Sequence, residues 1–170
     1  MAIPETLDNP TAADYLALIS RAVFQAGVSW KLIESKWAAY DRLFEGFDPV
    51  LVARFGESDI DRISSDPGIV RTRKKVEATV ANARAMLEIS RQHGSFADYS
   101  KTFDSYAALS TDMRKRFKFL GELSAYYVLF RTRHPVPRFE DWLQAIPGEH
   151  PRMREMVDLA RQQARSSEIA

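Results

Sequence analysis

The 170-residue chain contains no cysteine and only three histidines, His93, His134 and His150. Without cysteine there is no disulfide framework, no thiolate nucleophile and no cysteine-bound zinc or iron–sulfur cluster. The histidines lie far apart and lack metal-site spacing, so we expect neither a metal nor a cofactor. The first residues, MAIPETLDNP, lack the pattern of an export signal, and no apolar run is long enough to span a bilayer. These absences predict a cytoplasmic protein.

Strand patterns are also scarce, because the chain has no sustained alternation of β-branched residues and no Asn-Gly or Asp-Gly hairpin. Apolar residues instead recur at helical spacing. With 45% hydrophobic residues the chain can bury a core, so we predict one all-α domain over residues 1–170, without a significant sheet. Helices are expected near residues 11–26, 29–44, 49–55, 57–64, 71–92, 95–103, 110–118, 122–132 and 151–165.

Several helix ends carry recognisable signals. Thr11 is a candidate N-cap, Asp48 precedes a proline at the first helical position, and Gly94 closes the longest predicted helix. The segment HPVP, residues 134–137, is expected to be extended because each proline restricts itself and its predecessor.

Charge is unevenly distributed, although the net charge is only +1. Residues 34–66 contain eight acidic and four basic side chains, whereas residues 101–138 contain eight basic and three acidic ones. RTRKK at residues 71–75 adds a compact basic cluster. This asymmetry is typical of a face that binds phosphates, although solvated helix faces have the same composition.

Two short motifs interrupt the helical pattern. In FQAGVSW, residues 24–30, one helix stops at Gly27 and another restarts after Ser29, which predicts a tight corner that is either a packed elbow or the rim of a pocket. In RFKFLGELSAYYVLF, residues 116–130, a bend leaves the first amide groups of a new helix unpaired. Arg116 and Lys118 add positive charge, so this hairpin is either an anion site or an ordinary helical turn.

Glu140 and Asp141 follow the proline-containing connector and precede Trp142. A carboxylate fixed there and partly dried by an aromatic ring can act as a general base or stabilise a developing cation, but helix caps look the same. Trp30 and Tyr40 share a helix face with Trp37, a pattern that fits a packed core or a base-stacking surface.

Four blocks of sequence together resemble the DNA 3-methyladenine glycosylase I family. They are FQAGVSW, FEGFDPVLVARFGESDIDRI, DPGIVRTRKKVEATVANARAML and FKFLGELSAYY, in the order and spacing of that family. The resemblance implies a helix-hairpin-helix glycosylase fold, with two helical lobes flanking a cleft and the hairpin near residues 110–132. It also implies a nucleoid-associated monomer whose partner is duplex DNA containing a damaged base, and an alkylated purine flipped into a pocket.

The resemblance also implies roles for individual residues. The corner lies against the minor groove, Val28 fills the gap left by the flipped base, and the hairpin amides grip the DNA backbone. The residues implied at the base pocket are Phe24, Gln25, Trp30 and Tyr126. Those implied at the DNA backbone are Gly27, Val28, Arg71, Arg73, Lys74, Arg116, Lys118, Leu120 and Gly121.

The chain departs from the family at three places. The family's zinc site and its aromatic N-terminal segment are missing, and Ala22 stands where the family has the glutamate expected to bind the flipped base. In the broader superfamily a catalytic aspartate follows the hairpin glycine by a similar interval, which matches Glu140 or Asp141. Glu122 follows the glycine where a lyase would have lysine, so a monofunctional enzyme is expected. A catalytically degenerate DNA binder and a helical interaction domain are the alternatives.

Overall fold

The computed structural model describes residues 6–146, and all regular structure in this range is helical. The α-helices are α1 (Ala12–Gln25), α2 (Trp30–Leu43), α3 (Pro49–Val52), α4 (Glu57–Ser65), α5 (Arg73–His93), α6 (Phe96–Lys101), α7 (Tyr106–Arg116), α8 (Glu122–Arg131) and α9 (Phe139–Ala145), with a short 3-10 helix at Glu45–Phe47. The all-α prediction is confirmed. The helix predicted near residues 151–165 lies outside the described residues.

Capping side chains explain why several helices begin and end where they do. The Thr11 hydroxyl accepts from the Asp14 amide at 3.2 Å, and the Asp14 carboxylate accepts from the Thr11 amide at 2.7 Å. Asp48 caps α3 by accepting from the Val50 amide at 2.8 Å. Gly94, with φ of 88°, ends α5. The predicted signals at these positions are confirmed.

Other boundaries differ from the predictions. Helix α7 begins at Tyr106 rather than near residue 110, because the Ser105 hydroxyl accepts from the Ala108 amide at 3.2 Å and caps an earlier start. Helix α3 ends at Val52, short of the predicted residue 55. Helix α9 was not predicted, and its N-cap residue, Arg138, makes no side-chain capping bond that would mark it.

The chain divides into two compact units, and the larger one is Asn9–Val128. In this unit α5 is central and packs against α1, α3, α4 and α6. Aromatic rings fill the core beside it: the Phe24 and Tyr40 rings are 4.4 Å apart, and Trp37 stacks on Phe47 at 5.1 Å. The predicted aromatic face of α2 is therefore mainly a core face.

The smaller unit consists of residues 1–8 and 129–170, of which residues 6–8 and 129–146 are described. The Leu7 amide donates to the Arg131 carbonyl at 2.8 Å, and Arg133 pairs with Asp8 at 2.9 Å. Residues 134–138 are not helical, as the prolines predict. Among residues 6–146, no helix combines the length and the apolar character needed to cross a membrane.

Candidate nucleic-acid interface

The corner between α1 and α2 is a tight turn that ends in an exposed indole. The Val28 amide donates to the Gln25 carbonyl at 3.0 Å, and Gly27 has φ of 73°, a left-handed conformation that favours glycine. Val28 packs half-buried against the core, whereas Trp30 is 37% exposed at the first position of α2. Here "the corner" means the motif at residues 24–30.

A buried lysine from α5 holds the backbone where α1 ends. Lys75 Nζ donates to the carbonyl of Phe24 at 3.1 Å and to that of Ala26 at 2.5 Å. Helix α1 has no basic residue in its last turn, so Lys75 supplies the positive charge that the carbonyl end of a helix favours. Burial lowers the pKa of Lys75. Lys75 belongs to the basic cluster at residues 71–75 but, unlike Arg71 and Lys74, it is buried.

The predicted hairpin is the link between α7 and α8, and "the hairpin" below means residues 117–121. Phe117 and Leu120 are buried and anchor it, whereas Lys118, Phe119 and Gly121 are exposed. Phe119 adopts φ of 58°, which turns the chain sharply toward α8.

Asn82, fully buried on α5, clamps the hairpin at one residue. Its Oδ1 accepts from the Lys118 amide at 2.7 Å, and its Nδ2 donates to the Lys118 carbonyl at 3.2 Å. Both main-chain groups of Lys118 are thereby paired with a single side chain. The pairing leaves little rotational freedom to the residue that enters the turn.

The next three main-chain amides of the hairpin, from Phe119 to Gly121, have no hydrogen-bond acceptor among residues 6–146. The Gly121 carbonyl accepts the first bond of α8, from Ala125 at 2.9 Å. A Cβ on Gly121 would meet open space, and its φ lies outside the left-handed region, so folding does not require glycine there. Free amides at a helix start form a site suited to an anion.

The basic side chains at residues 71–75 differ in whether they form ion pairs. Arg71 and Lys74 are exposed and have no ion-pair partner in the described part of the chain, and the same holds for Lys118 on the hairpin. Arg73 is instead surrounded by acidic side chains. Its guanidinium contacts the carboxylates of Glu57, Asp61 and Glu77. Its charge is largely compensated within the protein.

Arg116 is also paired with an acidic side chain of the same chain, Asp112. Its Nε lies 2.6 Å from an Asp112 oxygen that also accepts from the Tyr99 hydroxyl at 2.7 Å. Burial, together with the neighbouring Asp112 carboxylate, raises the pKa of the Tyr99 hydroxyl, which stays protonated as a donor. Across the hairpin, Arg114 lies 3.6 Å from Glu122. Of the two cations predicted at the hairpin, only Lys118 has a side chain without an ion-pair partner among residues 6–146.

The residues assigned to a base pocket have different exposures. Phe24 is a core side chain with its ring 4.4 Å from Tyr40, and Tyr126 is buried with its ring 5.9 Å from Tyr106. Gln25 is half-buried at the end of α1. Trp30 is thus the exposed aromatic residue of the predicted set.

Position 22, on α1, has no polar group for a bound base. Ala22 is half-buried, and its neighbour Arg21 pairs with Glu34. The Arg21 guanidinium also lies 4.2 Å from the centroid of the Trp37 ring.

Glu140 and Asp141 lie in the first turn of α9, in the smaller unit. The Asp141 side chain is 70% exposed and stands 4.0 Å from Arg138, whereas Glu140 is half-buried. Trp142, next in sequence, is buried. Among residues 6–146 no cluster of three or more histidine and carboxylate side chains is arranged to hold a metal ion.

Sequence reasoning did not single out Lys75 and Asn82. A signal was present, because both occupy the stripe of α5 that also carries Val76, Val80 and Ala83, all of them buried. A polar residue on the apolar stripe of a helix is expected to have a specific partner. Only the fold identifies that partner.

Comparison with known proteins adds independent evidence. Residues 10–119 match the family model for methyladenine glycosylase. The chain is 32% identical to DNA-3-methyladenine glycosylase 1 of Escherichia coli K12, covering 73% of this chain and 75% of that protein. It is 32% identical to the Haemophilus influenzae DNA-3-methyladenine glycosylase, covering 60% and 66%. A solved 3-methyladenine DNA glycosylase I from Staphylococcus aureus superposes with a TM-score of 0.65 at 30% identity, covering 74% and 77%.

Proposed function

This chain belongs to the methyladenine glycosylase family, and we propose that it is a monofunctional DNA glycosylase that hydrolyses the N-glycosidic bond of a 3-methyladenine-like purine flipped out of duplex DNA. The observation that carries the proposal is the hairpin, whose three consecutive amides lack acceptors within residues 6–146. Its partner is duplex DNA with a damaged base, bound by a monomer in the cytoplasm at the nucleoid.

The corner supports base flipping. Extruding a base costs a few kcal/mol, and stacking a base on an aromatic ring returns about 1–3 kcal/mol. Trp30, exposed at the start of α2, is the ring assigned to this stacking, and Val28 is the apolar side chain that fills the vacated step. These two effects together offset the cost of extrusion.

The hairpin supports backbone binding without sequence readout. Its amides can donate to phosphate oxygens, and the charge of Lys118, which has no ion-pair partner in the described part of the chain, strengthens that contact. Arg71 and Lys74 are the other cations assigned to phosphates, because neither has an ion-pair partner in the described residues. Arg73 is assigned a role in joining α4 to α5 instead.

The chemical step requires a water nucleophile and charge stabilisation at the sugar. The bond between C1′ and the purine nitrogen breaks with its electron pair going to the alkylated base, which is cationic and leaves as a neutral molecule. Asp141 or Glu140 stabilises the oxocarbenium-like sugar and accepts a proton from the attacking water. Because Glu122 rather than lysine follows Gly121, no Schiff base forms and the strand is not cut.

A base-release assay on methylated duplex DNA, with the released bases separated by identity, tests activity and substrate together. Release of 3-methyladenine above the spontaneous rate supports the proposal. Asp141→Asn or Glu140→Gln is expected to abolish release while binding to an abasic-analogue duplex survives. Asp104→Asn, which removes an exposed carboxylate elsewhere, is the control and is expected to remain fully active. Full activity in both test variants would contradict the assignment of the carboxylate.

Ala22 favours a second candidate, a DNA or lesion binder of the same fold without base chemistry. A flipped base would meet a methyl group at position 22, where the family has a carboxylate. Salt-dependent binding to abasic-analogue DNA without release of any base, across alkylated, oxidised and deaminated duplexes, selects this candidate. Ala22→Glu is then expected to create release of 3-methyladenine, whereas the uncharged Ala22→Gln is not.

A further inference from the structure

Helix α5 carries a stripe of buried polar side chains through the centre of the larger unit. Lys75, Thr79 and Asn82 are spaced four and then three residues apart, so they lie on one face of the helix. Burying polar groups is unfavourable unless they find partners. Their partners differ: Thr79 bonds within α5, to the Lys75 carbonyl at 2.9 Å, whereas the other two reach distant segments.

Those distant segments are the corner and the hairpin. Lys75 donates to two carbonyls where α1 ends, and Asn82 pairs with both main-chain groups of Lys118. All four contacts are to main chain, so they constrain backbone position whatever side chains the two segments carry. One helix thus joins the two segments that the proposed function places on DNA.

We propose that Lys75 and Asn82 are positioning residues that hold the corner and the hairpin at a set spacing on DNA, an inference that rests on the proposed function. The two residues are seven positions apart on one helix, which corresponds to about 10.5 Å along its axis. A 21-residue helix with both ends packed serves as a rigid spacer between a base-flipping element and a phosphate-gripping element.

The two residues have separable effects. Asn82 fixes the backbone position of the hairpin, so its loss weakens binding to DNA and removes a phosphate contact. Lys75 fixes the backbone position of the corner. Its loss therefore slows base release at saturating DNA and reduces the preference for an abasic-analogue duplex over an undamaged one. A displacement of about 1 Å in such a site costs up to roughly 100-fold.

The test compares Asn82→Leu, Lys75→Met and the matched control Thr79→Val, which removes a buried hydroxyl of the same stripe whose hydrogen bond stays within α5. Each is assayed well below its unfolding temperature, as judged by circular dichroism. Asn82→Leu is expected to raise the Kd for an abasic-analogue duplex about 10- to 100-fold and to lower the salt slope by about one. Lys75→Met is expected to lower kcat about 10- to 100-fold with a smaller change in KM.

A purely structural role would lower the unfolding temperature of all three variants and leave the salt slope and the kcat unchanged. If Asn82→Leu and Lys75→Met match Thr79→Val in these readouts, the positioning proposal is wrong. If Asn82→Leu does not fold, Asn82→Ser replaces it, since a serine leaves room for water but cannot reach both groups of Lys118.

Failure of the proposed function gives a different pattern. If wild type binds DNA but releases no base, the enzymatic assignment fails. The positioning roles are still tested, because the Kd and the salt slope report on Asn82 and the preference for abasic DNA reports on Lys75. If wild type shows no salt-dependent DNA binding, both proposals are overturned.

Discussion

Replacing Gly121 by alanine separates what the hairpin needs in order to fold from what it needs in order to bind DNA. A Cβ at this position has no heavy atom within 4 Å, and φ lies outside the left-handed region. The added methyl group therefore strains nothing inside the protein. If the hairpin main chain grips a sugar-phosphate strand, however, the methyl group occupies space that the strand needs.

The expected magnitudes differ for the two properties. Replacing glycine by alanine at a compatible position stabilises by about 0.4–1 kcal/mol through the unfolded chain, and alanine at an N-cap costs a comparable amount. The free energy of unfolding should therefore stay within about 1 kcal/mol of wild type. Forcing an extra methyl group into a close-packed contact costs about 1–3 kcal/mol, which weakens DNA binding roughly 5- to 150-fold.

Gly56→Ala is the matched control. Gly56 is also the N-cap of a helix, with φ of −102°, and a Cβ there meets no heavy atom within 4 Å. Urea unfolding measures stability, and titration with a fluorescent abasic-analogue duplex at about 0.05 and 0.2 M salt measures affinity. Both variants should be about as stable as wild type, and only Gly121→Ala should lose affinity. Equal affinity in the two variants would refute main-chain contact with DNA.

Three other predictions concern charge, stacking and pH. Lys118→Gln should lower the salt slope of DNA binding by about one, whereas Arg73→Gln should leave it unchanged because acidic neighbours already compensate Arg73; equal slopes would contradict this. Trp30→Ala should slow base release by about 10- to 100-fold through lost stacking, whereas Leu32→Ala, at a 42% exposed residue of the same helix, should not. Burial lowers the pKa of His134 below its unfolded value of about 6.5. The stability tied to its neutral form is therefore present above about pH 6.5 and is lost as pH falls toward the folded pKa. Between about pH 7.5 and 5.5, the unfolding temperature of His134→Gln should fall less than that of the wild type.

The parts of the fold that follow from short stretches of chain were predictable. Thr11 and Asp48 cap helices by bonds that span two or three residues, and the prolines near residue 135 exclude helix by their own covalent geometry. Ser105 carries an equivalent signal, and a predicted start near residue 110 lies four residues after the start that Ser105 caps. Helix α9 had no such signal at Arg138 and was missed.

The candidate site was predictable in outline, because the corner and the hairpin each lie within a few consecutive residues. The state of its side chains was not predictable. Phe24 and Trp30 stand at opposite ends of the same motif, yet one is fully buried and the other is exposed. Exposure depends on which surface the neighbouring helices cover, and no local pattern contains that information.

By itself, the sequence determined the all-α class, most helix ends and the motifs that place the chain in its family. Tertiary structure alone decided how the basic cluster divides, with Arg73 among carboxylates and Lys75 buried beneath the corner. It also decided that Asn82 meets Lys118, 36 positions away. Caps and periodicity are short-range and readable along the chain, whereas the partner of a buried polar atom is set by packing between distant segments, which bears no regular relation to sequence separation.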